Sequence, residues 1–295
     1  MNKTGEKQTG AWGFCAFSLP AILLLPQAGW ETVLVVTLGS AMVAIFGRSV
    51  IGSVGWALSL PLILWNGVII GKAAWEISAV YGTENPLPGL LLLLLAAYSA
   101  KKERLPVVAA VVAFFLVGIY GILYLFAIPD IDISRLMPER ETEIRTVAYG
   151  FMPLLLLYVY RAEERRVRAV WLGIGTMLAI GAAIITEGMG ARDFYTAAKS
   201  VNLFGTMERL EPFVAAAATA GGFCFIGFLI KVNENLWESA RKEKKIWSQN
   251  IILLLSLAIC IVAPRIRDEV WALGTTLCWG LIPIITQFVV CKKKD

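Results

Sequence analysis

Apolar stretches without charged residues recur along the whole chain, separated by short polar segments. A helix needs roughly 20 apolar residues to cross a hydrocarbon core about 30 Å thick. On this basis the pattern predicts ten membrane-spanning helices, so we predict an all-α integral membrane protein. The predicted spans are 11–29, 31–47, 54–80, 87–100, 106–128, 146–160, 168–186, 212–230, 246–263 and 270–290.

The first predicted span has a second interpretation, a signal peptide with Lys3 and Lys7 as its basic flank. Residues 26–28 make a poor cleavage site, and nine further spans follow. We therefore favour a retained first helix.

The amino-acid composition indicates a membrane protein and excludes several kinds of active site. Hydrophobic residues make up 58% of the chain and charged residues 17%, against roughly half and a quarter in a soluble domain. With no histidine in the sequence, a serine or cysteine hydrolase triad, a His-ligated metal, a haem and a histidine proton relay are excluded. The five cysteines form no CxxC and are interpreted as packing residues. We expect no enzyme activity, no metal site and no cofactor.

The distribution of Lys and Arg predicts the orientation. With a cytoplasmic N-terminus, the inside segments carry 18 basic residues and the outside segments 8. By the positive-inside rule both termini are cytoplasmic, and the net charge of +5 indicates a lipid bilayer and not a nucleic acid as partner. The segment 231–245 is interpreted as a solvated loop, with binding to anionic headgroups or a cytosolic partner as the alternative.

Ten spans divide into two halves of five, about 11–128 and 146–290, within a single membrane domain of residues 1–295. An odd number of spans per half inverts one half relative to the other, as in inverted-repeat transporters. The first helix of each half contains a helix-breaking residue, Pro20 in one and Gly150 with Pro153 in the other. We predict that both helices are interrupted, although a simple proline kink is the alternative.

Three stretches resemble the spore-germination permeases, the membrane B subunits of Ger-type nutrient receptors in the amino acid-polyamine-organocation superfamily. They are PDIDISRLMP at 129–138, SVNLFGTMERLEPFVAAAATAGGF at 200–223 and AFSLPAILLLPQAGWETVLVV at 16–36. The resemblance implies a LeuT-like fold of ten helices and a location in the spore inner membrane or cell membrane. It also implies two kinds of partner, a multi-domain membrane subunit and a lipoprotein. The chain departs from the family at the first break, where glycines are usual, and at Phe151, where an acidic or polar residue is expected.

A nutrient site is expected between the two interrupted helices, where freed backbone groups can bind a ligand's carboxylate and ammonium. Aromatic walls there favour an amino acid with a hydrophobic side chain. The expected substrate-binding residues are Phe17, Ser18, Leu19, Pro20, Tyr149, Gly150, Phe151 and Phe223.

Only Lys72 and Glu76 are charged within a clear span. Their spacing of four residues places them on one helix face, with Trp65 seven residues before Lys72 on the same stripe. These three residues are candidates for an outer vestibule or gate. The alternative is interfacial anchoring, with the lysine reaching the headgroups.

Three functions are consistent with these patterns. The first is a germinant-receptor subunit that binds a small nutrient, expected to be an amino acid, in a transporter-like pocket. The second is a secondary transporter for amino acids. The third is an assembly subunit without a ligand of its own.

Overall fold

Nearly all of the described residues are helical, and they contain no β-strand. The structure is a computed structural model that describes residues 30–46, 55–80, 85–100, 105–136, 150–159, 165–190, 211–241 and 247–292. The first predicted span, 11–29, lies outside the described residues, as does its break at Phe17 to Pro20.

The described part of the chain forms nine α-helices and five shorter helical segments. Four of the shorter segments are 3₁₀-helices, at Ile128–Asp130, Ile133–Leu136, Met152–Tyr158 and Ala263–Arg265, and the fifth is a π-helix, Thr276–Leu281, which joins α8 to α9. The α-helices are α1 (Trp30–Phe46), α2 (Trp56–Val80), α3 (Leu87–Ala100), α4 (Leu105–Ala127), α5 (Arg165–Gly188), α6 (Glu211–Arg241), α7 (Trp247–Val262), α8 (Asp268–Thr275) and α9 (Ile282–Lys292).

Four helical stretches are long and apolar enough to cross a membrane, so the prediction of an all-α membrane protein is confirmed at that level. They are Trp56–Ser78, Val107–Asp130, Ala215–Ala240 and Glu269–Val289. The helix boundaries at α2 and α3 lie within two residues of those expected from the charge-free windows.

The interpretation of 231–245 as a loop is wrong over its first part, because α6 continues as a helix to Arg241. The helix continues because apolar side chains in this part of α6 are buried or packed against other helices. Val232 and Leu236 lie in the core, and the Trp237 ring meets the Trp56 ring edge-on at 5.3 Å between centroids. Apolar side chains on one face therefore keep this polar-looking sequence helical.

Helix α2 lies at the centre of the described bundle, where it contacts α3, α6, α7 and the π-helix. Glycines let the neighbouring helices approach closely. A Cβ atom at Gly71 would overlap the backbone and Ile259 of α7, and one at Gly89 of α3 would overlap the Ala74 carbonyl of α2. The close approach brings polar groups into hydrogen-bonding range, as small residues do between membrane helices.

Two interhelical hydrogen bonds depend on this packing. The Ser256 hydroxyl of α7 donates to the Gly67 carbonyl at 2.9 Å, and the Gly89 N–H of α3 donates to the Ser78 hydroxyl at 2.8 Å. Helix α4, in contrast, leaves large side chains such as Phe114 and Phe115 exposed. That surface suits contact with lipid chains.

A compact turn follows α4 within the PDIDISRLMP stretch. The Asp132 carboxylate accepts hydrogen bonds from the Ser134 hydroxyl at 2.7 Å and the Ser134 N–H at 3.0 Å. These bonds hold the pKa of Asp132 below its usual value, with a smaller contribution from Arg135. The Asp132 N–H donates to the Gly188 carbonyl at 3.0 Å, which ties this turn to the end of α5.

The α2–α3 contact gives a direct stability test. Gly89→Ala should lower the free energy of unfolding by about 1 to 3 kcal/mol, because the added methyl group overlaps the Ala74 carbonyl. Gly118→Ala on α4 is the matched control, since a Cβ there meets no atom within 4 Å. Thermal unfolding in detergent measures both, and equal melting temperatures for the two variants would contradict this packing.

Candidate functional site

An ion pair lies within the apolar part of α2. Lys72 Nζ is 2.6 Å from Glu76 Oε1, and the two side chains are 14% and 44% exposed. Lys72 lies five residues beyond the middle of the stretch Trp56–Ser78, about 7 Å along the helix axis at 1.5 Å per residue. The structure therefore brings together the two charges that the sequence placed on one helix face.

The lysine also faces an aromatic ring from the other end of the chain. Its ammonium lies 5.3 Å from the centroid of the Trp271 ring, a distance typical of a cation–π contact. The rings of Trp65 and Trp271 are 6.2 Å apart and tilted by 54°. Trp271 is 3% exposed and donates its indole N–H to the Ile266 carbonyl at 3.3 Å.

Helix α8 fixes the orientation of both tryptophans. The Trp65 indole N–H donates to the Thr275 hydroxyl at 3.2 Å, and that hydroxyl donates to the Trp271 carbonyl at 2.7 Å. Gly274 lies beneath the Trp65 ring, which any Cβ at that position would overlap. We call Trp65, Lys72, Glu76, Trp271 and Thr275 the Lys72 cluster.

A second polar group lies deeper in the bundle. The Trp279 indole N–H donates to Asn66 Oδ1 at 2.8 Å, Asn66 Nδ2 donates to Asn233 Oδ1 at 2.8 Å, and Asn233 Nδ2 donates to the Ile63 carbonyl at 3.5 Å. The three side chains are buried. Asn66 and Trp279 lie at the middle of the apolar stretches of their helices. This network joins α2, α6 and the π-helix far from either end of the spans.

The sixth predicted span departs from α-helical geometry where it is described. Residues 150–151 form a turn, and Met152–Tyr158 is a 3₁₀-helix whose seven residues are all buried. Runs of 3₁₀-helix longer than three or four residues are uncommon and often mark strain or a hinge. The segment packs against α1, α6, α9 and the π-helix.

Side chains and backbone from other helices hold this 3₁₀ segment. Asn235 Nδ2 donates to the Tyr158 carbonyl at 3.0 Å, and the Tyr158 hydroxyl donates to the Thr286 hydroxyl at 3.3 Å. A Cβ at Gly280 of the π-helix would lie 3.3 Å from the Phe151 ring, so this glycine accommodates Phe151. The site residues Gly150 and Phe151 thus lie at the start of a segment fixed from several sides.

A buried hydroxyl lies on α1, the helix that packs against this segment. Gly39 faces the Gly150 carbonyl, and the neighbouring Ser40 is fully buried. Its hydroxyl has no hydrogen-bond partner among the described residues, and neither does the hydroxyl of Ser59 on α2. A buried hydroxyl without a partner costs roughly 1 to 3 kcal/mol, which makes Ser40 a candidate ligand-binding group.

Phe223 and Phe151, two of the expected site residues, lie beside different neighbours. Phe223 follows Gly222 on α6, and Gly222 packs against Ile77 near the Val80 end of α2. Phe151, in contrast, packs against Gly280 of the π-helix. Five expected site residues, Phe17, Ser18, Leu19, Pro20 and Tyr149, lie outside the described residues.

Sequence reasoning missed Trp271, Thr275, Ser40 and the Asn66–Asn233–Trp279 network. The two asparagines offered a signal, because an amide side chain inside an apolar span needs a partner there. Nothing in the sequence links Trp271 to Lys72. Among the described residues, no group of three or more His, Cys, Asp or Glu side chains could hold a metal ion.

No family model matches the chain, and no curated protein matches it. The function is therefore inferred from the residues and their geometry.

The asparagine network can be tested with a double-mutant cycle. Asn66→Ala and Asn233→Ala should each destabilise the protein, because each leaves a buried amide without its partner. The coupling energy between them should be about 0.6 to 1.7 kcal/mol, the range for hydrogen bonds between membrane helices. Unfolding in mixed micelles measures the cycle, and additive effects of the two substitutions would contradict a direct bond.

Proposed function

We propose that this protein is the membrane subunit of a spore germinant receptor and that it binds a small nutrient, an amino acid, in a transporter-like pocket. The observation that carries this proposal is the buried, non-α segment at residues 150–158. Irregular backbone at membrane depth is tolerated only where protein surrounds it or where it lines a polar cavity. Transporter folds bind their substrates at such interruptions.

In this proposal the chain has ten spans in two inverted repeats, and the ligand lies between the breaks at Phe17 to Pro20 and at Tyr149 to Pro153. The irregular geometry at Gly150 and Phe151 supports the second break. The hydroxyl of Ser40 adds a polar group on the helix that packs against this segment. A carboxylate or ammonium of the ligand would provide the partner that this hydroxyl lacks among the described residues.

The resemblance supports the biological role in this proposal. Partner subunits, a multi-domain membrane protein and a lipoprotein, would transmit the binding signal in the spore inner membrane. Sensing and transport require the same pocket, so the two are separated by a measurement of flux. Binding without uptake into proteoliposomes supports the receptor, whereas accumulation of labelled amino acid would show a transporter.

The proposed pocket is tested first by ligand binding. Purified protein in lipid nanodiscs is titrated with each of the twenty L-amino acids, and heat of binding and melting temperature are recorded. We expect at least one amino acid with an apolar side chain to bind, since Phe151 adjoins the proposed pocket. Absence of binding and uptake for every amino acid would favour the assembly subunit without a ligand.

The Ser40 hydroxyl provides a specific variant. Ser40→Ala should weaken amino acid binding by about tenfold, the loss expected when one hydrogen bond to a charged group is removed, while the melting temperature without ligand should not fall, because the variant removes a buried hydroxyl that has no partner among the described residues. Ser59→Ala, which removes another buried hydroxyl without a partner among the described residues, should leave binding unchanged. Equal amino acid affinities for the two variants would show that Ser40 does not bind the ligand.

The orientation that accompanies this proposal predicts cysteine accessibility. In a background without native cysteines, Ile133→Cys should react with a membrane-impermeant maleimide in intact cells, whereas Glu238→Cys should react only after lysis. Both positions are exposed side chains, so burial does not explain a difference. Labelling of Glu238→Cys in intact cells would overturn the assignment of cytoplasmic termini.

A further inference from the structure

The Lys72 cluster has the chemical composition of a site for an ammonium group. A carboxylate, Glu76, and the face of an indole ring, Trp271, both contact one cation. In the structure this cation is the lysine of the chain itself. The ammonium of Lys72 lies over the face of the Trp271 ring, and Trp271 is only 3% exposed.

We propose that the Lys72 cluster is a second binding site, which takes a zwitterionic α-amino acid with an apolar side chain. The ammonium of the ligand replaces that of Lys72 between Glu76 and Trp271, and Lys72 moves to the carboxylate of the ligand. This inference rests on the proposed function, because it assigns the same class of ligand to a second site.

The charges explain why the ligand must be a zwitterion. Separating Lys72 from Glu76 leaves the lysine, which is 14% exposed, poorly solvated, and it takes the cation away from Glu76 and the Trp271 ring, which is unfavourable unless new partners replace these contacts. A zwitterion supplies a partner for each. An amine without a carboxylate brings no new partner for Lys72, and an acid without an amine brings no cation for Glu76 and Trp271. The cluster should therefore discriminate against both kinds of singly charged analogue.

The geometry permits this exchange. Lys72 has a flexible stem of four carbons, whose ammonium can shift by several ångströms while the helix stays fixed. Glu76 is 44% exposed, which leaves the carboxylate accessible. Trp65 and Trp271 meet at 54°, and Trp65 is held by Thr275 and packs directly on Gly274. These rings form a rigid apolar wall for the side chain of the ligand.

If Lys72 were an interfacial anchor, its ammonium would have a different environment. A lysine that reaches the headgroups keeps its ammonium in water and buries only its stem. The side chain of Lys72 is 14% exposed, and its ammonium contacts a carboxylate and an aromatic ring. This arrangement resembles a bound cation more than an anchor.

The test uses variants that keep the size of both side chains. Lys72→Met and Glu76→Gln each remove one charge of the pair, and the double variant removes both. Lys231→Met is the matched control, because Lys231 forms a comparable ion pair with Glu234 at 3.0 Å on α6. Each protein is titrated in nanodiscs with L-leucine, 3-methylbutylamine and 4-methylpentanoate.

The original protein should bind leucine at two sites, and in both single variants and in the double variant the affinity of one of the two should be at least about tenfold weaker, the loss expected for one charged contact. The Lys231→Met variant should bind as the original protein does. The amine and the acid should each bind at least about tenfold more weakly than leucine to the original protein. Recovery of binding in the double variant would overturn the site, since it would reduce the pair to a structural role.

The outcomes also separate this inference from the proposed function. Undiminished leucine binding in the double variant, together with weakened binding in Ser40→Ala, would overturn the second site and leave the pocket at the interrupted helices. An amine that binds as tightly as leucine would overturn the zwitterion requirement. If the original protein binds neither leucine nor any other amino acid, both proposals fail.

Discussion

Hydrogen bonding within an apolar environment is the constraint on which the rest of this structure depends. A polar group that faces lipid chains has no water to replace a missing partner, so each must be satisfied within the protein. Close packing at glycines meets this requirement around α2. Gly71 and Gly89 let α7 and α3 approach, and the approach brings the Ser256 hydroxyl to the Gly67 carbonyl and the Gly89 N–H to the Ser78 hydroxyl.

The same requirement accounts for the long-range polar contacts. Asn66 uses both its carbonyl oxygen and its amide group, one with Trp279 and the other with Asn233. The amide of Asn235 supports the last turn of the 3₁₀ segment through the Tyr158 carbonyl. Irregular backbone and buried amides therefore occur together, and each limits how the neighbouring helix can move. Ser40 and Ser59 are exceptions, since their hydroxyls have no partner among the described residues.

The sequence predicted the local features of this protein well. Charge-free windows located α2 and α3, and a spacing of four residues predicted the Lys72–Glu76 pair, because both follow from short-range helix geometry. Partners distant in the chain could not be predicted. Trp271 and Asn233 meet α2 only through tertiary packing. The extension of α6 to Arg241 was also missed, because its apolar face is hidden among charged residues.

One continuous helical stretch, Asp268 to Lys292, connects the two candidate sites. Its first part, α8, carries Trp271 and Thr275 of the Lys72 cluster, and its π-helix carries Gly280 against Phe151. Trp279 lies between these contacts and is bonded to Asn66. A π-helix has a looser hydrogen-bond pattern than an α-helix and is frequent at functional sites. An element that contacts both sites can couple them only if it has two stable arrangements. In this stretch the π-helical segment is the part that departs from α-helical winding, and it carries the contact to Phe151.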